Sequence, residues 1–165
     1  MTLERRLAKL FMLDDEGWER HANPWSVWTR YTVLPVFLIA GLLREWNGWV
    51  SCVVLFLAFC WTFINPLIFP KPSSLTSWAS RAVLGERIYL DRDKVPLPEQ
   101  HQLPLFTILS LLSTLGVIVS VWAVYTFDIP LCILAVLVTY LAKSWFLDRM
   151  VWLHHDYTNL NAMQK

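Results

Sequence analysis

Charge is what this sequence has least of. Asp, Glu, Lys and Arg make up 16% of its 165 residues, against about a quarter in a typical soluble domain. Glycine is also sparse, with 5 in the chain. There are three cysteines, Cys52, Cys60 and Cys132, each inside an apolar run and none in a CxxC pair. That excludes a disulfide framework and a zinc-ribbon signature, and the thiols read as small apolar filler. The first apolar cluster, LAKLFML, is short and runs at once into Asp14, Asp15 and Glu16. It is too short for a cleavable signal peptide, so retained spans are expected to insert the chain. No Asp, Glu, His or Arg falls inside the long apolar runs. Proton-coupled transporters need ionisable groups at depth, which ranks transport low. Haem held by histidines across helices is disfavoured on the same ground. There is no HExxH, no HxxxH and no histidine-rich box.

What is present is apolar and aromatic: 56% apolar residues and 10 tryptophans. Residues 46–70 and 103–127 carry no charge, and residues 129–147 carry only Lys143, near one end. Each run covers the roughly 20 residues that a membrane helix needs, and Lys143 is placed to snorkel. Residues 31–43 form a shorter run between Arg30 and Arg44, rising about 20 Å as a helix. This run spans if both arginines snorkel and Trp28 and Trp46 mark the interfaces; the alternative is a re-entrant helix. Arg44-Glu45-Trp46-Asn47-Gly48 and Phe127-Asp128-Ile129-Pro130 read as tight turns, with Pro130 starting a helix. The expected fold is therefore an all-α integral membrane protein. It is a single domain with spans at about 31–46, 49–69, 104–127 and 129–147, arranged as two helical hairpins.

The few charges are sorted. Arg5, Arg6, Lys9, Arg20, Arg30, Lys71, Arg81, Arg87, Arg92, Lys94, Lys143, Arg149 and Lys165 fall on one side of the four-span scheme, and Arg44 alone falls on the other. The positive-inside rule then places both termini and the middle segment, residues 70–103, in the cytoplasm. Ser113, Gly116, Ser120 and Ala123 in the third span, and Cys132, Ala135, Thr139 and Ala142 in the fourth, are small residues at helical spacing. They predict a close contact face within the second hairpin. Ala58, Thr62 and Asn65 make a similar stripe, and Asn65-Pro66 is expected to end or kink its helix.

The cytoplasmic side is expected to form a collar. Residues 3–13 read as an amphipathic helix on an anionic leaflet. Residues 75–84 read as a second surface helix that Gly85 would end. The stretch 91–104 reads as extended and proline-punctuated. Span four is expected to run on into the extension 148–165, with Trp145, Arg149, Trp152 and Asp156 along one face. In GWERHANPWSVWTR, residues 17–30, the tryptophans suit an interface, and Asn23 or Ser26 suits a helix cap ahead of Pro24.

The same residues supply the candidate site. His21, Glu19 and Asp148 are the acid, base or catalytic candidates. Arg20, Asn23, Trp78, Glu86, Arg87, Arg149 and Trp152 are the binding candidates, with the arginines suited to phosphate. His21, His101 and His155 are the candidate metal ligands. His154 and His155 are adjacent and point about 100° apart on a helix, so they do not pair on one ion by themselves. No cofactor is expected, and a divalent metal stays open as the alternative.

Three phrases, WERHANPWSVWTR at 18–30, WASRAVLGERIYL at 78–90 and WFLDRMVWL at 145–153, resemble a family of small bacterial inner-membrane proteins of unknown function. The resemblance implies a four-span protein of the bacterial inner membrane and brings no activity, substrate or cofactor. In that family Tyr-Glu often stands where this chain has His154-His155, which leaves His21 the stronger candidate. The expected function is a non-enzymatic accessory or interaction protein. The alternative is a small membrane enzyme acting on lipid at the inner leaflet. Expected partners are an anionic bilayer, another membrane protein or a second copy of the chain, with no nucleic acid.

Overall fold

An uncharged run in lipid has no water to satisfy its peptide groups, so it must pair them internally as helix. The computed structural model describes residues 15–94, 96–102 and 104–163; the amphipathic helix expected over residues 3–13 lies outside them. The helices are α1 (Asp15–His21), α2 (Pro24–Arg30), α3 (Val33–Leu43), α4 (Gly48–Ile68), α5 (Trp78–Leu90), α6 (Leu105–Tyr125) and α7 (Ile129–Met163), with a 3-10 turn at Glu99–His101. The described residues contain no strand. Among the described residues, four stretches are long and apolar enough to cross a membrane: Pro24–Leu43, Gly48–Ile68, Glu99–Tyr125 and Ile129–Leu160. The chain is a multi-pass, all-α membrane protein. Phe56, Leu57, Leu111, Ile118 and Leu141 are exposed on its flanks, as a lipid-facing surface requires.

Each turn is set by a side chain. Asn47 caps α4, its Oδ1 accepting from the amides of Trp49 (3.1 Å) and Val50 (3.2 Å). Asp128 caps α7 through the Leu131 amide at 3.0 Å, beside Phe127 at φ 57°. α2 and α3 form one span with a break at residues 31–32. Pro35 has no N–H to give the Tyr31 carbonyl four residues back. The Tyr140 hydroxyl of α7 donates to that carbonyl instead.

α6 and α7 pair closely through the small-residue stripes. Gly116, Ser120, Ala123, Cys132, Ala135, Thr139 and Ala142 are buried. A Cβ on Gly116 would stand 2.3 Å from Thr139 Oγ1. At the turn end of the bundle Arg44 donates to the carbonyls of Val124 (3.1 Å) and Tyr125 (2.8 Å). It thereby caps α6 and fastens one hairpin to the other.

The middle segment departs from expectation. α5 runs through Gly85 to Leu90, and it packs against α7 with Ala79, Ala82, Val83 and Tyr89 buried. Gly85 does not end the helix. It is the crossing point, where a Cβ would lie 1.9 Å from the Met150 carbonyl oxygen. Asn65-Pro66 lies in the last turn of α4, which stops two residues on at Ile68. α7 is 35 residues long, about 52 Å as a helix against a hydrocarbon core of about 30 Å. Its outer part supports the collar. There Tyr89, Phe106, Leu109, Phe146, Leu147, Met150 and Leu153 form the main buried cluster.

Candidate functional site

The stretch 17–30 builds a closed polar relay. Asn23 caps α2, accepting from the Trp25 amide at 3.0 Å. Its amide nitrogen reaches the Pro70 carbonyl at 3.0 Å, fixing α2 to the end of α4. The Thr29 hydroxyl donates to the Trp25 carbonyl at 2.6 Å. Its oxygen must therefore accept from Asn65 Nδ2, 2.7 Å away. That orients the Asn65 amide so that Oδ1 accepts from the Ser26 hydroxyl at 2.9 Å. With the Ser26 proton so committed, His21 Nδ1, 3.0 Å from Ser26 Oγ, is the donor. His21 is 6% exposed, and Ser26 and Asn65 are 0% exposed. Burial, with the positive charges of Arg30 and Lys143 behind it, pushes the imidazole down to about 3. His21 is thus neutral and serves as a hydrogen-bond donor, and Ser26 has neither a free base nor an open face for nucleophilic attack.

Around the relay lie the groups that hold the collar together. The Ser80 hydroxyl donates to the Ala22 carbonyl at 2.7 Å. Ala22 and Val27 share an apolar cluster with Ala79 and Val83 of α5. Lys143 of α7 donates to Glu86 of α5 at 3.1 Å. Trp78 Nε1 donates to Asp148 at 3.3 Å, and Arg149 lies 3.6 Å from the same carboxylate. Trp28 stacks on Trp78 with centroids 5.5 Å apart. Glu19 and Arg20 point outward. Glu19 pairs with Lys71, whose hydrogen bond and charge hold its carboxyl below the usual range. Arg20 pairs with Glu16 at 2.8 Å and donates to the Leu67 carbonyl at 3.2 Å.

A second group of candidates gathers elsewhere. His101 Nε2 lies 2.8 Å from Asp156 Oδ2, and Gln100 donates to the same oxygen at 2.9 Å. His155 Nδ1 is 3.2 Å from the other oxygen of Asp156. His101 is buried and stacks on Phe106. Gln100, His101, Phe106 and Asp156, with Arg149 and Trp152 but without His155, line a cavity of about 350 Å³. Arg87 lines a different hollow with His154 and Tyr157.

The structure divides the candidate histidines. His21 belongs to Ser26 and Asn65, and His101 and His155 belong to Asp156. Among the described residues, no three His, Cys, Asp or Glu side chains form a group that could hold a metal ion. The sequence does not point to Ser26 and Asn65 as the relay behind His21, nor to Asp156 as the partner of His101. The first left one signal, a lone amide inside an apolar run. The second left none, because residues 101 and 156 meet only through folding.

No curated protein and no solved structure matches the chain. A family model does match, over residues 2–165, so that spans and collar alike fall within it: the chain belongs to a family of unknown function, DUF6653.

Proposed function

We propose that this protein is a non-enzymatic accessory protein of the bacterial inner membrane, with its polar collar in the cytoplasm serving as a docking platform. The observation that carries this reading is the closed relay. His21, Ser26 and Asn65 satisfy one another away from solvent, so His21, the stronger candidate in the sequence, acts as a fastening. The orientation rests on the charge sorting, with Arg44 the lone cation on the outer side. An anionic inner leaflet is the bilayer partner that this sorting favours. The protein partner is another membrane protein or a second copy of the chain. Trp145 and Trp152, 55% and 51% exposed on the outer part of α7, offer the aromatic anchors such contacts favour.

The test is photo-crosslinking in intact membranes from a probe at residue 152, with a probe at lipid-facing residue 118 as the control. A discrete protein adduct from 152 and lipid adducts alone from 118 are expected. Lipid adducts alone from both positions would sink the reading.

The lipid-acting enzyme keeps one observation in its favour. His101 and Asp156 form a hydrogen-bonded pair in an open cavity beside Arg149, a pairing suited to general base work on a phosphate-bearing substrate. Under this second reading a folded His101→Gln variant loses turnover of labelled lipid, while a folded His21→Gln variant retains it. Equal turnover by wild type and His101→Gln would remove it.

A further inference from the structure

Arg30 ends α2, and both its Nε and its Nη2 are buried without a hydrogen-bond partner. These two nitrogens form one edge of the guanidinium, the edge that meets two oxygens of a phosphate or carboxylate side by side. A buried charged fork with neither donor satisfied is costly. The acidic group whose charge reaches Arg30 is Glu86, but Glu86 accepts from Lys143 at 3.1 Å. Arg30 and Lys143 against Glu86 leave one positive charge over, and the neighbouring His21 is neutral. We propose that Arg30, seconded by Lys143, holds the phosphodiester of an anionic phospholipid at the collar end of the bundle.

One negative charge balances the cluster, and a phosphodiester carries one. Placement agrees with charge. Lys143 lies about 21 Å along α7 from Ile129, toward the far boundary of a core of about 30 Å. Long cationic side chains bridge the remaining distance to the headgroups. Trp25 and Trp28, 68% and 51% exposed on the same helix as Arg30, mark that interface. The site does not rest on the accessory reading, since a lipid held here would brace α2, α5 and α7 whatever the collar does.

Wild type, Arg30→Lys and Arg30→Gln would be purified in mild detergent. Each would be titrated with phosphatidylglycerol, phosphatidylcholine or inorganic phosphate. Native mass spectrometry would read bound lipid, and thermal unfolding would read stabilisation. Phosphatidylglycerol should bind and stabilise wild type. Arg30→Lys keeps the charge and loses the fork, and should bind it roughly tenfold more weakly. Equal binding by wild type and Arg30→Lys would overturn the assignment. Equal stabilisation of wild type by phosphatidylglycerol and phosphatidylcholine would overturn its anionic character. Inorganic phosphate stabilising as well as phosphatidylglycerol would move the site to a soluble anion and overturn the lipid source. Should Arg30→Gln fail to fold, the Arg30→Lys and wild-type comparisons decide alone.

Discussion

The two ends of this bundle solve opposite problems. At the turn end, residues 44–47 and 126–128 close the hairpins, and one cation, Arg44, is used on helix carbonyls. The turns themselves are closed by local caps, Asn47 and Asp128, and Arg44 alone of these groups reaches across to the other hairpin. At the collar end the contacts join residues far apart in sequence, Ser26 with Asn65, Ala22 with Ser80, Glu86 with Lys143 and His101 with Asp156. The turn end needs good turn chemistry and one long-range cation. The collar end needs the whole chain to be in place, and it is where polar groups with functional potential gather.

The contrast can be broken by substitution, and the largest effect belongs to Gly85. Gly85→Val pushes a side chain into the Met150 backbone, which cannot yield as a flexible side chain would. A loss of about 3 kcal/mol or more is expected, seen as loss of folded, monodisperse protein in detergent. Next is Ser26→Ala, which strips a partner from both His21 and Asn65 while they stay buried. About 1–3 kcal/mol of destabilisation is expected, read by thermal unfolding. At the turn end, Arg44→Ala removes two carbonyl bonds that are partly solvent-accessible. Its cost should be smaller, about 1 kcal/mol.

A pH series sharpens the comparison further. The folded imidazole of His21 sits at about 3 and the unfolded one at about 6.5. Below pH 6.5 the unfolded chain takes up a proton that the folded chain refuses. The contribution to stability is therefore whole above about pH 6.5 and is lost as pH falls from there toward 3. His21→Gln should lack this part of the acid sensitivity, measured as the difference between the two variants' melting temperatures across that window. Parallel curves would show that the relay does not keep His21 neutral. The smallest effect is at the collar's outer surface. Lys71→Gln removes an exposed pair with Glu19 and should leave the melting temperature unchanged.

The spans were legible because membrane helices announce themselves by length and absence of charge. The contact face of α6 and α7 was legible for a related reason, since small residues at helical spacing have few other uses in lipid. The cap of α2 was legible as Asn23 or Ser26, and Asn23 takes it. The role of Gly85 was not legible. A glycine in a helical pattern signals an end or a close crossing with equal force, and only the position of Met150 decides between them. The polar relay was half visible, because His21 and Ser26 sit in one phrase, but Asn65 joins them from another helix. Arg30 read as a snorkelling flank of a short span; that two of its guanidinium nitrogens are buried without a partner depends on the packing around α2, which the sequence does not display.

The support of α5 has a consequence for how the molecule is made. Synthesis runs from α1 to α7, yet α1 and α2 rest on α5, and α5 rests on the outer part of α7. A helix made after all the other described ones is the seat for segments made before it. Until it arrives, the apolar faces around Ala22, Val27, Ala79 and Val83 have nowhere to close, and a chain cut short before Met150 would carry them open. Closure of the collar thus waits on α7, whichever of the earlier helices are already in place.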